Sequence, residues 1–297
     1  MNSHPHQLKD NVKRSLELVA KHDPLSLESV DRTLNNPAML ASKYKIPLQY
    51  FNEIENRVEQ NTKQIAVLLP HADDQTKEFI ELWEGQELMH GAIFEQTLLD
   101  IGLGEVDFNA NQLGAGIRIG GALSSLPGIH DTLMYLYQTT GAMHERLTAK
   151  GYLALIESLK RDNEFALAET AIKPILKQEG SHLGYYKSAS LELGNRLAPW
   201  QRKLAVAIKT HGYKPVGAID KEHEARFGAT MEIIRGEQTM DEIASPVQKI
   251  AEEVLLAKQY GLELPNFVAS ALKSSINEAR AQKLLPPDED GLAVPVQ

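Results

Sequence analysis

The sequence predicts an all-α protein, a four-helix bundle with extra C-terminal helices, from three observations. The long segments carry apolar residues every three to four positions with almost no two-residue alternation. Glycines and prolines cluster between those segments. The chain, at 297 residues, 42% hydrophobic and 24% charged, is long and apolar enough for a sizeable core. No repeat of fixed period and no Gly/Ser linker divides it. Residues 1–297 are therefore expected to form one domain, with a bundle core at about 47–195, further helices at about 199–283 and a mobile tail over Pro286–Gln297.

The elements follow in order. After a polar start, Pro24, Asn35, Asn36 and Pro37 break residues 24–46 into irregular structure with short helical turns. The first strong helix is expected from Pro47 to Leu69, with Phe51, Ile54, Val58, Ile65 and Leu69 along one stripe. Pro70 ends it, and the Asp73/Asp74 pair caps the next. That second helix, Gln75 to Asp100, repeats the stripe as Phe79, Trp83, Phe94 and Leu98, which makes an antiparallel hairpin. Six glycines between 102 and 121 mark 101–130 as a crossover loop with room for a short helix. The third helix is expected over Asp131–Leu159. The fourth, Glu164–Leu193, should kink at Pro174. Shorter helical pieces follow at 199–211, 221–235, 240–260 and 265–283. Two hairpins joined by one long crossover fit a four-helix bundle.

Composition narrows the function. There is no cysteine, which removes disulfides, iron–sulfur clusters and thiolate-held zinc, so any metal must be held by His, Asp and Glu. A net charge of −9 with no long Lys/Arg run argues against a nucleic-acid partner. The first ten residues lack an apolar leader, and no apolar stretch approaches a membrane span. The expectation is a soluble cytoplasmic protein.

Two Glu-x-x-His pairs carry the chemistry: Glu87-Leu-Met-His90 in helix two and Glu179-Gly-Ser-His182 in helix four. Residues three apart on a helix share one face, so a carboxylate and an imidazole can grip one cation. Trp83, Glu87, His90 and Phe94 step by helical intervals, which places both polar groups on the apolar side, where an unpaired carboxylate is costly. One such pair is expected by chance in a chain this rich in Glu and His. Two, on helices of separate hairpins, each preceded by a helix with a core-side Glu, are more informative. In helix three that residue is Glu145, with Gly141, Thr148 and Tyr152 on its face. In helix one Glu53, Glu55 and Glu59 lie close together, and reflection of Glu87 through the turn favours Glu55 over Glu59. Four Glu and two His across a bundle form a di-metal carboxylate set, and hard oxygen donors with one imidazole per metal suit iron or manganese.

These residues resemble a known family. Trp83-Glu-Gly-Gln-Glu87-Leu-Met-His90-Gly91 is similar to a signature of the soluble acyl-carrier-protein desaturases, ferritin-like di-iron carboxylate proteins, and His144-Glu145-Arg146-Leu147-Thr148 resembles their Gln-Glu-Arg-x-Thr. The order and spacing of Glu55, Glu87, Glu145 and Glu179 also agree over about residues 45–200. Two departures stand out: Gln86 replaces an acidic residue often found before the ligand, and Gln178-Glu179-Gly180-Ser181-His182 lacks the charged neighbours usual around the last motif. The resemblance implies a ferritin-like bundle, two Fe²⁺ ions with Mn possible at one site, an acyl chain on acyl carrier protein or another acyl carrier, a homodimer, and Thr148 near the oxygen-binding face. The six metal ligands would be Glu55, Glu87, His90, Glu145, Glu179 and His182.

A di-iron centre would use oxygen to remove hydrogen from an unactivated carbon held in an apolar channel. Trp83, Phe94, Met134, Tyr137, Gly141 and Tyr185 are candidates to line it, although aromatic and Met residues at helical spacing are also ordinary core. Thr148 could relay protons, or simply bond back to its own helix. With no cysteine the chain needs an external electron donor of the ferredoxin type. Arg196, Arg202, Lys203, Lys209 and Lys214, with no carboxylate among them, form a basic strip that could dock an acidic partner. His144, His211 and His223 are not expected to ligate metal. Three alternatives remain open: a related di-metal oxygenase or N-oxygenase with another small hydrophobic substrate, a ferroxidase or iron-binding protein, and a metal-free polar core, which six ionisable groups would make expensive.

Overall fold

The computed structural model describes residues 5–22, 24–104, 115–126 and 128–286. It is all-α, with no strand among those residues. The expected tail beyond Pro286 and part of the crossover loop lie outside them.

Four long helical stretches build the centre. The first is split into α3 (Lys45–Asn56) and α4 (Val58–Leu68), after α1 (Pro5–Ala20) and the short α2 (Pro37–Lys43). The expected single helix 47–69 is therefore interrupted at Arg57, whose N–H bonds back to the carbonyls of Glu53 and Glu55. No Gly or Pro marks this break. It coincides with the Arg57 side chain turning to Glu53 and to His223, which is distant in sequence. α5 (Asp74–Asp100) starts where expected, its N-cap Asp73 accepting from Thr76 N at 2.8 Å. The crossover includes α6 (Ala115–Leu123), and α7 runs over Ile129–Arg161. The kink expected at Pro174 takes the form of a π-helical turn, Leu167–Ile172, from which α8 (Lys173–Arg196) continues with the proline in its first turn, where a missing N–H costs nothing.

The outer helices are α9 (Pro199–Gly212), α10 (Lys221–Ile234), α11 (Met240–Val254) and α12 (Phe267–Ala281). α11 stops short of the expected 260, and Leu256 and Gly261 adopt positive φ in the turns that follow. One apolar core runs from Leu40 through α3, α5, α7 and α8 to Ile276 of α12, so the C-terminal helices share the bundle's core. α1, read from sequence only as a polar start, buries Val12, Leu16 and Val19 against Phe79, Tyr185 and Tyr186. Glu164, fully buried, accepts from the N–H groups of Asn35 and Asn36 and ties the irregular 24–36 segment to the turn between α7 and the π turn.

Two aromatic clusters bracket the polar centre. Phe51 packs on Phe94 and Tyr152 at centroid distances of 5.6 and 4.7 Å. Phe79 stacks on Tyr185 at 3.8 Å and meets Tyr186 edge-on at 4.8 Å. Along α5, Glu87 and His90 fall between Phe79 and Phe94, so the centre is closed at both ends by ring packing. Tyr186 also crosses α7 at Gly141, where an added Cβ would lie 2.4 Å from its ring carbons. Gly141→Ala is accordingly expected to cost about 1–3 kcal/mol by overpacking, read as a lower urea midpoint; an unchanged midpoint would contradict this close approach.

Candidate metal centre

All six residues selected from the sequence converge. Glu55 comes from the last turn of α3, Glu87 and His90 from α5, Glu145 from α7, and Glu179 and His182 from α8. Both histidines are fully buried and the four carboxylates are 1–7% exposed. They form two overlapping donor sets, Glu55/Glu87/His90/Glu179 and Glu87/Glu145/Glu179/His182, each with its ligand atoms within 4.8 Å of one another. That span suits a single ion with bonds of about 2 Å. These buried groups could therefore hold metal ions.

Glu87 and Glu179 belong to both sets, and their oxygens divide between them. Glu87 Oε2 lies 3.2 Å from His90 Nδ1 and its Oε1 lies 3.2 Å from His182 Nδ1. Glu179 Oε1 lies 3.2 Å from His90 Nδ1, and its Oε2 3.9 Å from His182 Nδ1. Glu55 and Glu145 each serve one side, at 3.7 Å from His90 and 3.9 Å from His182. If two ions were bound, Glu87 and Glu179 could serve both and Glu55 and Glu145 one each. Glu179 Oε1 and His182 Nδ1 are buried and make no well-aligned hydrogen bond, although His90 Nδ1 and Glu87 Oε1 respectively lie 3.2 Å away, an arrangement open to a cation. Glu59 pairs with Lys63 on the surface, and Glu53 faces away into a cluster with Arg57, His223 and Arg226, which leaves Glu55 as the helix-one donor.

The histidines are oriented by residues the sequence did not single out for that task. His90 Nε2 is 2.7 Å from Gln178 Oε1, and His182 Nε2 is 2.7 Å from Gln86 Oε1. Each glutamine directly precedes the bridging Glu of its own helix and holds the imidazole of the other helix. An amide oxygen can only accept, so Nε2 carries the hydrogen and Nδ1 faces the centre. Tyr152 donates to Glu55 Oε1; burial and then the nearby Glu55 charge hold its phenol well above the usual range, so it stays a donor.

Electrostatics show what the centre needs. Burial, followed by the charges of Glu87 and Glu179 respectively, pushes Glu55 and Glu145 well above the usual carboxylate range. In Glu87 and Glu179 burial acts the same way, but hydrogen bonds from the histidines and the neighbouring carboxyls outweigh it and lower both. Burial would lower the two histidines, yet their carboxylate partners raise them. Without a cation, protons must occupy the space between these groups.

A cavity of about 550 Å³ opens onto Glu55, Glu87, Glu145 and Glu179. Of the residues considered for a channel, Trp83, Tyr137 and Gly141 line it, as does Thr148 beside Glu145. Phe94, Met134 and Tyr185 pack elsewhere: Phe94 on Phe51 and Tyr152, Met134 with Tyr135 and Leu193, and Tyr185 on Phe79. Each points inward, but toward core rather than void. His144 lines the cavity, and burial with the Lys209 charge lowers it to about 4, so it is neutral there. Of the basic residues of α9 and its flanks, only Lys209 is buried. Arg196 pairs with Glu192, Arg202 lies over the Tyr260 ring, Lys209 is buried on Thr140 and Lys214 pairs with Glu224, while Lys203 is exposed. No helix among the described residues is long and apolar enough to cross a membrane.

Comparison of the chain with protein-family models, with curated proteins and with solved structures gave no significant match.

Two outcomes follow from this geometry. Gln86→Leu and Gln178→Leu should each weaken divalent-metal affinity about 10–100-fold, measured by calorimetric titration; unchanged affinity would contradict the crossed support. In the metal-free protein, the raised Glu55, Glu145, His90 and His182 bind more protons folded than unfolded, so their contribution to stability falls as pH rises; the lowered Glu87 and Glu179 act in the opposite sense, losing stability as pH falls. Metal displaces the held protons, so the rise in Tm on adding Mn²⁺ should be larger at pH 8 than at pH 6. A smaller rise at pH 8 would mean that the ion binds elsewhere.

Proposed function

We propose that this chain is an oxygen-dependent di-iron oxidase of the ferritin-like, acyl-carrier-protein desaturase type, acting on a fatty acyl chain. The observation that carries this reading is the pair of donor sets sharing Glu87 and Glu179 and facing one cavity. The donors fit iron: four carboxylates and two imidazoles, no thiolate, one imidazole per position. Manganese at one position is compatible with the same donors.

When bound, iron would supply the reduction of dioxygen and the oxidising power to remove hydrogen from an unactivated carbon. The chain's own residues do the rest. Glu55, Glu87, His90, Glu145, Glu179 and His182 hold the metals, and Gln86, Gln178 and Tyr152 fix those side chains. Trp83 and Tyr137 give the substrate an apolar wall, and the two aromatic clusters keep water from the ligands. Thr148, on the cavity wall one turn from Glu145, is placed to carry protons into it. For desaturation the balance is loss of two hydrogens from the chain, reduction of dioxygen to two waters, and delivery of two electrons and two protons. The electrons come from an external donor of the ferredoxin type, because the chain has no cysteine to hold a redox cluster. Acyl carrier protein as the substrate carrier and a homodimeric state rest on the family resemblance.

A related di-metal oxygenase or N-oxygenase would use the same centre on another small hydrophobic substrate, and the cavity's polar wall along α4, with Arg57, Gln60, Asn61 and Gln64, favours a substrate with a polar end. Mass spectrometry of products from a panel of free and carrier-bound acyl substrates separates the two. The wild-type chain should bind two iron ions and consume oxygen only with reductant and substrate. Glu145→Ala and His182→Ala should each reduce bound iron to one per chain and abolish turnover; full iron content and activity in either variant would sink the assignment.

A further inference from the structure

Arg57 is the only Lys or Arg among the described residues that line the cavity. It stands at the break between α3 and α4, two residues beyond the metal-site Glu55. Its guanidinium is largely buried, its side chain 12% exposed. Nη2 reaches Glu53 Oε1 and lies 2.6 Å from His223 Nε2. Its Nε is buried with no hydrogen-bond partner. An orphaned donor on a buried cation is costly, and such groups commonly mark where a ligand, ion or water belongs.

Once metal ions neutralise the four carboxylates of the same cavity, the charges in Arg57's own cluster leave room for an anion. Glu53 is shared by two guanidinia, because its Oε2 accepts from Arg226 while its Oε1 serves Arg57 and His223. Two cations therefore face one buried carboxylate. The other acid of the cluster, Asp220, is 52% exposed and is paired with His223 Nδ1 at 2.6 Å, so water screens much of its charge. The Arg57 charge is thus only partly matched, and a planar guanidinium matches a carboxylate in geometry.

The rest of the cavity indicates what the carboxylate is attached to. Trp83, Tyr137, Ile65 and Leu68 give it an apolar side, and its volume of about 550 Å³ falls in the usual range for small-molecule sites. With the four carboxylates taken up by metal ions, an apolar side, a polar α4 wall and one largely buried cation describe a pocket for an amphiphile with a single anionic end.

We infer that Arg57 forms a carboxylate-binding subsite, and that the chain takes an amphiphilic monocarboxylate as its substrate, which follows the second of the two readings above. The inference rests on the reading of the cavity as the substrate site. It makes Arg57 a specificity residue, touching the substrate's head group and not the metals.

The test uses Trp83 as reporter. The chain has two tryptophans, and Trp200→Phe removes the exposed one. Full-length protein in that background, loaded with Zn²⁺ and again after chelation, is titrated with dodecanoate and with dodecanol below their aggregation limits while Trp83 fluorescence is followed. Dodecanoate should bind at least tenfold more tightly than dodecanol. Arg57→Gln should abolish that preference without weakening dodecanol, and Arg57→Lys, which keeps the charge but not the fork, should restore part of it. Glu53 keeps Arg226 and His223 as partners in both variants. Equal affinity for acid and alcohol in the unsubstituted protein overturns the proposal without recourse to any variant, as does a preference that persists in Arg57→Gln. Metal content is measured on the same samples. Two ions bound with no head-group preference would remove this subsite alone, whereas a head-group preference without metal uptake would remove the di-metal reading alone.

Discussion

Four carboxylates held out of water within a few ångströms of one another are the constraint on which the rest of the structure depends. Each would cost several kcal/mol to bury as an isolated ion, and their mutual repulsion adds to that. Two protonated histidines cannot balance four negative charges, and protonating the terminal carboxyls is what an empty centre would require. Two divalent cations, as proposed, would offset the four charges. Side chains that otherwise look like extravagant burial of polar groups then have a single explanation.

The fold supplies that centre from rigid elements. α5 and α8 each present a Glu and a His one turn apart, and the residue before each Glu reaches across to the opposite histidine. The arrangement is reciprocal: the two helices hold each other's imidazoles, so neither donor set can shift without disturbing the other. Ring packing closes the two ends of the cluster along α5 while the cavity opens onto one side, and close passage of Tyr186 over Gly141 brings α7 near enough to α8 for Glu145 to meet His182. The cavity follows the α4 and α7 side of the centre, with the break at Arg57 placing one cation on its wall. The donor cluster and the cavity therefore share the same helices.

Much of this was legible in the sequence because it is local. A three-residue spacing on a helix fixes which side chains share a face, so both Glu-x-x-His pairs could be read directly. Reflection through a short turn was enough to select Glu55, because the hairpin constrains register to within about one helical turn. Features set by distant partners were not legible. Gln86 and Gln178 stood out as departures from a family pattern, but their role depends on a neighbour in another helix. The interruption at Arg57 has no Gly or Pro to announce it and coincides with pairing to His223. Phe94, Met134 and Tyr185 occupy inward stripes as expected, yet a stripe says only that a residue is buried, not whether it borders packed core or open space. α1 could have been found, since Val12, Leu16 and Val19 lie at helical intervals, but the surrounding charge made the segment read as a polar tail. The basic residues around α9 make the converse point, because a run without carboxylates in sequence still meets Glu192, Glu224, Thr140 and Tyr260 in space.

The central claim is that two cations sit side by side and share Glu87 and Glu179. Electron paramagnetic resonance of the full chain loaded with two equivalents of Mn²⁺ tests it most directly. Carboxylate-bridged neighbours should give an exchange-coupled multiline spectrum, and the Glu87→Ala variant should lose it. The six-line spectrum of isolated Mn²⁺ at full loading, or uptake that stops at one ion, would contradict the shared centre.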